Sequence, residues 1–282
     1  MLKIIEKTKL WFGISILVIA IGIGAMVYRG GLNLGLDFQG GTKITIDMGA
    51  EFNKTEIDEI VKKYADDAET NTLNDTQLEV KAKEFDSNKV SGLMKELKEK
   101  YSLKDDALLN QQEIGASVSA DLTRNALISL GIAAVAMLIY IAIRFEFNFG
   151  VAAIVALLHD IVITVTVYAI FNIPLNTPFI VAILTIIGYS INDTIVIFDR
   201  IRENQKKMRR VSHAEVANVS ITQTYFRSII TSLTTLITIT AVNVLVPSVR
   251  EFTVPLIIGI ACGAYSSIFI ASPVWVLLKN RK

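Results

Sequence analysis

The sequence predicts an α-helical membrane protein with six transmembrane helices and one extracytoplasmic α+β domain of ferredoxin-like pattern between spans 1 and 2. Three observations carry that prediction. The 282 residues have a mean hydropathy of +0.48 and are 52% hydrophobic against 20% charged, a balance that no single soluble domain needs. Six apolar runs are each long enough to cross a bilayer. The acidic residues gather in one stretch after the first run, where 19 Asp and Glu face 12 Lys and Arg over residues 29–123, a net of −7.

The first span reads as Leu10–Tyr28, preceded by Lys3, Lys7 and Lys9. It is too long for a signal-peptide core, and Tyr28-Arg29 follows where small cleavage-site residues would be needed. A retained span with its N-terminus in the cytoplasm is therefore expected for residues 1–28.

Residues 29–123 read as a separate domain. Alternation in Thr42–Met48 predicts a strand. Ile57, Ile60, Val61 and Tyr64 share a face of a helix over about 54–67. A weak strand follows at Glu69–Leu73, a turn at Asn74-Asp75 and a strand over Gln77–Phe85. Val90, Leu93, Met94 and Leu97 mark a second helix, Asn88–Tyr101, and Leu108–Val118 supplies a last strand. The order βαββαβ is the split ferredoxin-like pattern. Its carboxylates are scattered as on a solvated surface and form no catalytic constellation.

The remaining spans, within residues 124–282, are expected at Asn125–Ile143, Phe149–Phe171, Pro178–Phe198, Tyr225–Val246 and Val254–Leu278. A loop over 199–224 holds Arg200, Arg202, Lys206, Lys207, Arg209 and Arg210, and the tail holds Lys279, Arg281 and Lys282. The positive-inside rule puts both in the cytoplasm, the loop acting as an orientation signal beside lipid headgroups. Counting six spans from an internal N-terminus gives the same sidedness and leaves the acidic domain outside. Ser212 and Glu215 fit a capping box opening the helix that leads into span 5. The near-neutral net charge of +1 offers no basis for nucleic-acid binding, and the lone Cys262 excludes a disulfide framework or a multi-cysteine metal site, so no metal or cofactor is expected.

The informative residues are polar groups inside apolar runs. Asp193 lies in span 4, where a carboxylate costs at least about 2.5–3.5 kcal/mol and is functional by default. An ion-carrying or ion-gating role is the reading; a merely packed, hydrogen-bonded residue is the alternative. His159 and Asp160 sit near the middle of span 3. Neighbours on a helix diverge by about 100°, so the two are expected to face different helices rather than each other. An ion-path role beside Asp193 and Arg227 is the reading for His159 and Asp160; a protonated or hydrogen-bonded Asp160 that only packs is the alternative. Arg227 enters span 5 about as deep as Asp193 in the antiparallel span 4, and an Asp193–Arg227 pair opened by protonation would make a proton-driven switch. A snorkelling arginine is the alternative. Thr224, Arg227, Thr231, Thr234, Thr235 and Thr238 recur at three- and four-residue steps, as do Thr185, Gly188, Asn192 and Asp193 in span 4. These stripes suit either close helix packing or a wetted path.

Four segments resemble the SecF family of protein-export membrane subunits, in the resistance–nodulation–division superfamily: Gly31–Ile44 (GLNLGLDFQGGTKI), Leu157–Asp160 (LLHD), Gly188–Asn204 (GYSINDTIVIFDRIREN) and Gln223–Thr235 (QTYFRSIITSLTT). The first contributes the motif residues Gly35, Asp37, Gly40 and Gly41. The resemblance runs from the first span to the last. It implies half of a twelve-span bundle completed by SecD, working with the SecYEG channel and using an ion-motive force to promote translocation of preproteins across the bacterial plasma membrane. It also implies that Asp193 and Arg227 are functional ion-coupling residues. Ser228 stands where the family often has threonine, which keeps the hydroxyl. No G-x-x-x-x-G-K-[ST] loop occurs, so energy must come from an ion gradient or a partner.

The competing readings are weaker. An aspartyl or serine intramembrane protease would need motifs that are missing around Asp160, Asp193 and Ser190, so the chain is not read as an enzyme. A small-molecule exporter half is possible by superfamily, but such exporters usually hold both halves in one chain. A passive assembly factor would leave Asp193 replaceable.

Overall fold

The computed structural model describes residues 2–73 and 75–280. The chain divides into two compact units: Met1–Asn33 with Ala126–Lys282, and Leu34–Asn125. Helix α1 (Thr8–Arg29) opens the first unit and ends on Gly30, whose φ of +76° provides the left-handed cap that lets the backbone leave the helix.

The second unit runs α2 (Leu36–Gln39), β1 (Gly41–Asp47), α3 (Lys54–Lys62), β2 (Glu69–Leu73), β3 (Gln77–Ala82), α4 (Ser87–Tyr101) and β4 (Leu108–Ile114). The strands form one antiparallel sheet of order β2-β3-β1-β4, the ferredoxin-like arrangement of a βαββαβ chain. Period-two patterning decides its inner face: Ile44 lies opposite Val80 and Ile46 opposite Leu78, all fully buried. The apolar faces of α3 (Ile57, Ile60, Val61) and α4 (Val90, Leu93, Leu97) close the core over them. Asn53 and Asp86 start these helices by accepting bonds from the backbone N–H of Thr55 and Lys89. Gly40 and Gly41 carry the chain from α2 into β1 at φ +71° and +121°, and a Cβ at Gly41 would strike the backbone of Ala82 and Lys83. Both glycines are thus demanded by the turn. Of the Asn74-Asp75 turn, Asn74 lies outside the described residues; Asp75 takes a left-handed φ of +61°.

The clearest differences from the expectation in this region are three, the first being that β3 stops at Ala82 rather than Phe85. The helix α3 stops at Lys62 rather than near residue 67, and β4 stops at Ile114 rather than Val118. Gly115 breaks the strand, and α5 (Ala116–Arg144) starts immediately, nine residues before the expected start of span 2. Polar residues such as Asp121 and Arg124 end an apolar run but do not end a helix.

The other membrane helices are α6 (Phe147–Phe171), α7 (Thr177–Lys207), α8 (His213–Leu245) and α9 (Arg250–Ser266), which continues through a wide π-helical turn (Ser267–Ala271) into α10 (Ser272–Asn280). With α1 and α5 they make six helices long and apolar enough to cross a membrane among the described residues. In the expected loop 199–224, α7 runs on to Lys207, past the expected end of span 4 at Phe198, while α8 begins at His213 as the capping box predicts, leaving residues 208–212 as the break. The cause is that charge, not a helix breaker, was the signal for the loop. Ser212 does cap α8, its hydroxyl accepting the Glu215 N–H at 3.2 Å. Of the basic tail, Arg281 and Lys282 lie outside the described residues.

Small residues set the helix contacts. Gly22 of α1 faces Thr166 of α6, and Gly259 and Gly263 of α9 lie against Ile186 and Ser190 of α7, where an added Cβ would collide. Four-residue glycine spacing lets helix axes approach closely where lipid supplies no hydrophobic drive between them. Arg29 then caps α6 by donating to the Ala169 carbonyl at 2.6 Å, a cation at the negative end of that helix.

Candidate functional site

Two carboxylates lie inside this membrane unit in different surroundings. Asp160, midway along α6, is fully buried. One carboxylate oxygen, Oδ2, accepts from Ser190 of α7 at 2.5 Å and Ser266 of α9 at 2.8 Å. The other, Oδ1, accepts from the Cys262 thiol at 3.1 Å and lies 3.1 Å from His159 Nδ1. His159 Nε2 is 2.8 Å from the Ser15 hydroxyl of α1, and the ring stacks on Tyr265, whose hydroxyl donates to the Trp11 carbonyl. Four helices therefore converge on this centre. The close approach of Gly263 to Ser190 brings α7 near enough to α9 for both serines to reach one carboxylate.

The expectation that His159 and Asp160 would point to different helices is corrected. Both do reach other helices, yet they also touch each other. Their backbone directions diverge by about 100°, but an imidazole and a carboxylate are long enough to lean together across that angle when the cavity lies between them. With Nδ1–H donated to Asp160, Nε2 is left to accept from Ser15; the hydrogen bonds fix that tautomer.

Asp193, on α7, is 4% exposed, and its Oδ2 accepts from Ser232 of α8 at 3.1 Å. Arg227 does not pair with it: the arginine is exposed on α8, and Asp193 forms no ion pair among the described residues. The arginine is near enough for an electrostatic influence on the carboxylate but not for a bond. The expected Asp193–Arg227 contact is thus replaced by a serine. The reason lies in the helix phase: Ser228 and Ser232 face α7, and Arg227, one position before Ser228, is turned away. The Ser228 hydroxyl is buried without a hydrogen-bond partner among the described residues, one turn from Ser232.

A group of hydroxyls lies beside the Asp160 centre and runs to Thr194, without a hydrogen bond from it to Asp193 among the described residues. Ser266 and Ser267 both bond to the Gly263 carbonyl, and Ser267 pairs with Thr194, the residue after Asp193, at 2.8 Å. Ser190, one turn before Asp193, holds Asp160. The π-helical turn begins at Ser267, beside these hydroxyls, and wide turns of this kind cluster at functional positions.

The threonine stripes have a different place. Thr185, Thr234, Thr235 and Thr238 bond the carbonyl four residues back on their own helix, and Thr185 and Asn192 are exposed on this chain. Only Thr231 and Thr235 join another helix, through the Tyr189 hydroxyl at 3.0 and 2.8 Å. The buried polar seam of α8 includes Ser220, Ser228 and Ser232 and shares only Thr224 with the expected stripe. Sequence reasoning also missed Ser15, Ser190, Ser266 and the chemical part of Cys262. His159, Asp160 and Cys262 form a group of three possible metal-ligand residues whose ligand atoms lie within 4.8 Å of one another. In the other unit, Gly35 is buried before α2 and Asp37 lies in its first turn, next to the Gly40–Gly41 turn.

Comparison with known proteins agrees with this architecture. Residues 93–281 match the family described as protein export membrane protein SecD/SecF, C-terminal, and residues 30–49 match the SecD/SecF GG motif. The protein translocase subunit SecF of Sebaldella termitidis is 36% identical over 289 residues, covering 100% of this chain and 93% of that protein. The fused subunit SecDF of Bacillus subtilis is 34% identical, covering 98% of this chain and 38% of its own length. The crystal structure of SecDF from Thermus thermophilus, described as a translocon-associated membrane protein, superposes with a TM-score of 0.85 at 34% identity, over 99% of this chain and 39% of that one. The four-stranded unit, the six membrane helices and the full-length matches lead to one conclusion: the chain belongs to the SecD/SecF family, and within it to the SecF type.

Proposed function

We propose that this protein is a Sec translocase subunit that pairs with SecD and uses a proton or sodium motive force to promote preprotein translocation through the SecYEG channel across the plasma membrane. Both termini lie in the cytoplasm and residues 29–123 outside. The fused SecDF relatives support SecD as the partner, since this chain matches only part of their length. The basic residues about the α7–α8 break and the N-terminal lysines support the sidedness.

One observation carries the coupling role. Asp193 is buried in a membrane helix with a single serine donor and no countercharge bonded to it among the described residues. Such a carboxylate must be neutralised by a proton, a bound cation or a charge brought by a partner or by movement of Arg227. Exchange among these states is what an ion-driven cycle needs. Moving one charge across the membrane potential releases about 2.3 kcal/mol per 100 mV.

The test is Asp193→Asn, co-expressed with SecD, with preprotein export measured at fixed membrane potential and complex assembly checked alongside. Normal assembly with loss of ion-driven export is expected. Normal export would leave Asp193 a structural residue and the protein a passive assembly factor.

A further inference from the structure

We propose that His159, Asp160 and Cys262 form a binding site for a borderline-soft divalent cation of the zinc class. The inference goes beyond the coupling role given to Asp193 and does not depend on it.

The geometry is the first argument. The ligand atoms are separated by 3.1 Å (His159 Nδ1 to Asp160 Oδ1), 3.1 Å (Cys262 Sγ to Asp160 Oδ1) and 3.7 Å (Cys262 Sγ to His159 Nδ1). Around a tetrahedral zinc with bonds of about 2.3 Å to sulfur and about 2.0–2.1 Å to nitrogen and oxygen, the corresponding edges are about 3.3, 3.5 and 3.6 Å. The three donors thus already outline one face of the tetrahedron and need shifts of only a few tenths of an ångström.

The surroundings are the second argument. Metal-binding imidazoles and carboxylates need outer partners that fix their orientation. His159 has Ser15 on its far nitrogen, and Asp160 has Ser190 and Ser266 on its far oxygen, so both ligands are held from behind, and their inner atoms, which now bond each other and the Cys262 thiol, would exchange those bonds for the cation. A water would complete the fourth position. The His159 side chain keeps 9% of its surface exposed and marks where a cation would reach the cluster.

Charge is the third. A thiolate, a carboxylate and a neutral imidazole around a divalent cation sum to zero, which suits an interior where a net charge is costly. Binding exchanges the cation for the Cys262 thiol proton and any proton on Asp160, which leave to water, while the His159 proton moves from Nδ1 to Nε2, where the Ser15 hydroxyl accepts it. Sulfur and nitrogen donors select zinc-class cations over magnesium or calcium, which take oxygen ligands.

The probe is Co²⁺, added to the tag-free, full-length protein in detergent and followed by absorption. One equivalent should give the visible bands of a tetrahedral ion and a near-ultraviolet thiolate-to-cobalt band, both erased by Zn²⁺. Cys262→Ser, which keeps a hydroxyl to donate to Asp160, should abolish the thiolate band. Ser190→Ala should weaken binding about 10–100-fold. His159→Ala provides an independent variant should either protein fold poorly. Octahedral bands alone, no thiolate band, or a band that survives Cys262→Ser would overturn the proposal. Export plays no part in the readout, so this site and the role of Asp193 fail or stand separately.

Discussion

Asp160 and Asp193 sit on neighbouring helices of one membrane unit, yet their environments differ. Asp160 is saturated: two serines, a thiol and an imidazole surround its two oxygens. Asp193 has one serine. The contrast teaches that burial alone does not identify a switch. A carboxylate with a complete donor shell holds helices together; a carboxylate with an incomplete shell is poised to change its partner. The part expected to move ions is the less well satisfied one, and Asp160 is better read as the anchor that keeps α6, α7 and α9 in place around it.

The sharpest way to break this comparison is to exchange the consequences. Asp193→Asn should abolish the ion-driven part of export while leaving the complex assembled, as measured in co-expression with SecD. Asp160→Ala should act through stability. It orphans the buried Ser190 hydroxyl at about 1–3 kcal/mol and takes the nearer acceptor from Cys262 and Ser266, and the melting temperature in detergent should fall clearly more than for Asp193→Ala. Equal losses would end the distinction between anchor and switch. A next smaller effect is expected from Gly259→Val, which forces a side chain against Ile186 and should cost about 1–3 kcal/mol of overpacking. If the thermal midpoint is unchanged, α7 and α9 do not hold the serines about Asp160 by close approach. Tyr189→Phe removes only the hydroxyl link to Thr231 and Thr235 and should cost about 0.6 kcal/mol, the usual size of an interhelical bond in a membrane.

The smallest effect lies in the soluble unit. Lys63 and Tyr64 donate to Glu96 and hold its carboxyl below the ordinary value of 4.5. A lowered folded value means that the stabilising contribution is present above the unfolded value and is lost as pH falls through the folded one. In a fragment of residues 34–125, Lys63→Met should raise the Glu96 titration midpoint followed by carboxyl-carbon NMR, and added salt should shrink the difference.

The regular features were legible because their signals are local. Alternation at Ile44 and Ile46, helical spacing at Val90, Leu93 and Leu97, and the serine cap at Ser212 need only a few neighbouring residues. The Asp160 centre was not legible beyond its own dipeptide. Ser15, Ser190, Cys262 and Ser266 come from three other helices, and a serine that feeds a carboxylate looks in sequence like one that merely packs. The threonines misled in the opposite sense. A threonine satisfies its hydroxyl on its own helix, so a periodic stripe of them is locally self-sufficient, and the buried seam passed to Ser228 and Ser232. Helix ends were misplaced where charge stood in for a breaker, as at the end of α7 and before Asn125.

The wide turn at Ser267–Ala271 gives the last span a property a straight helix lacks. It stores one surplus residue between α9, which grips Asp160, and α10, which stacks Trp275 on Phe149. Passing that surplus one position along the chain would alter the angular phase of the two segments while leaving each one helical. The span is thereby built as two shafts with a slip joint between them, so one end can turn while the other stays seated.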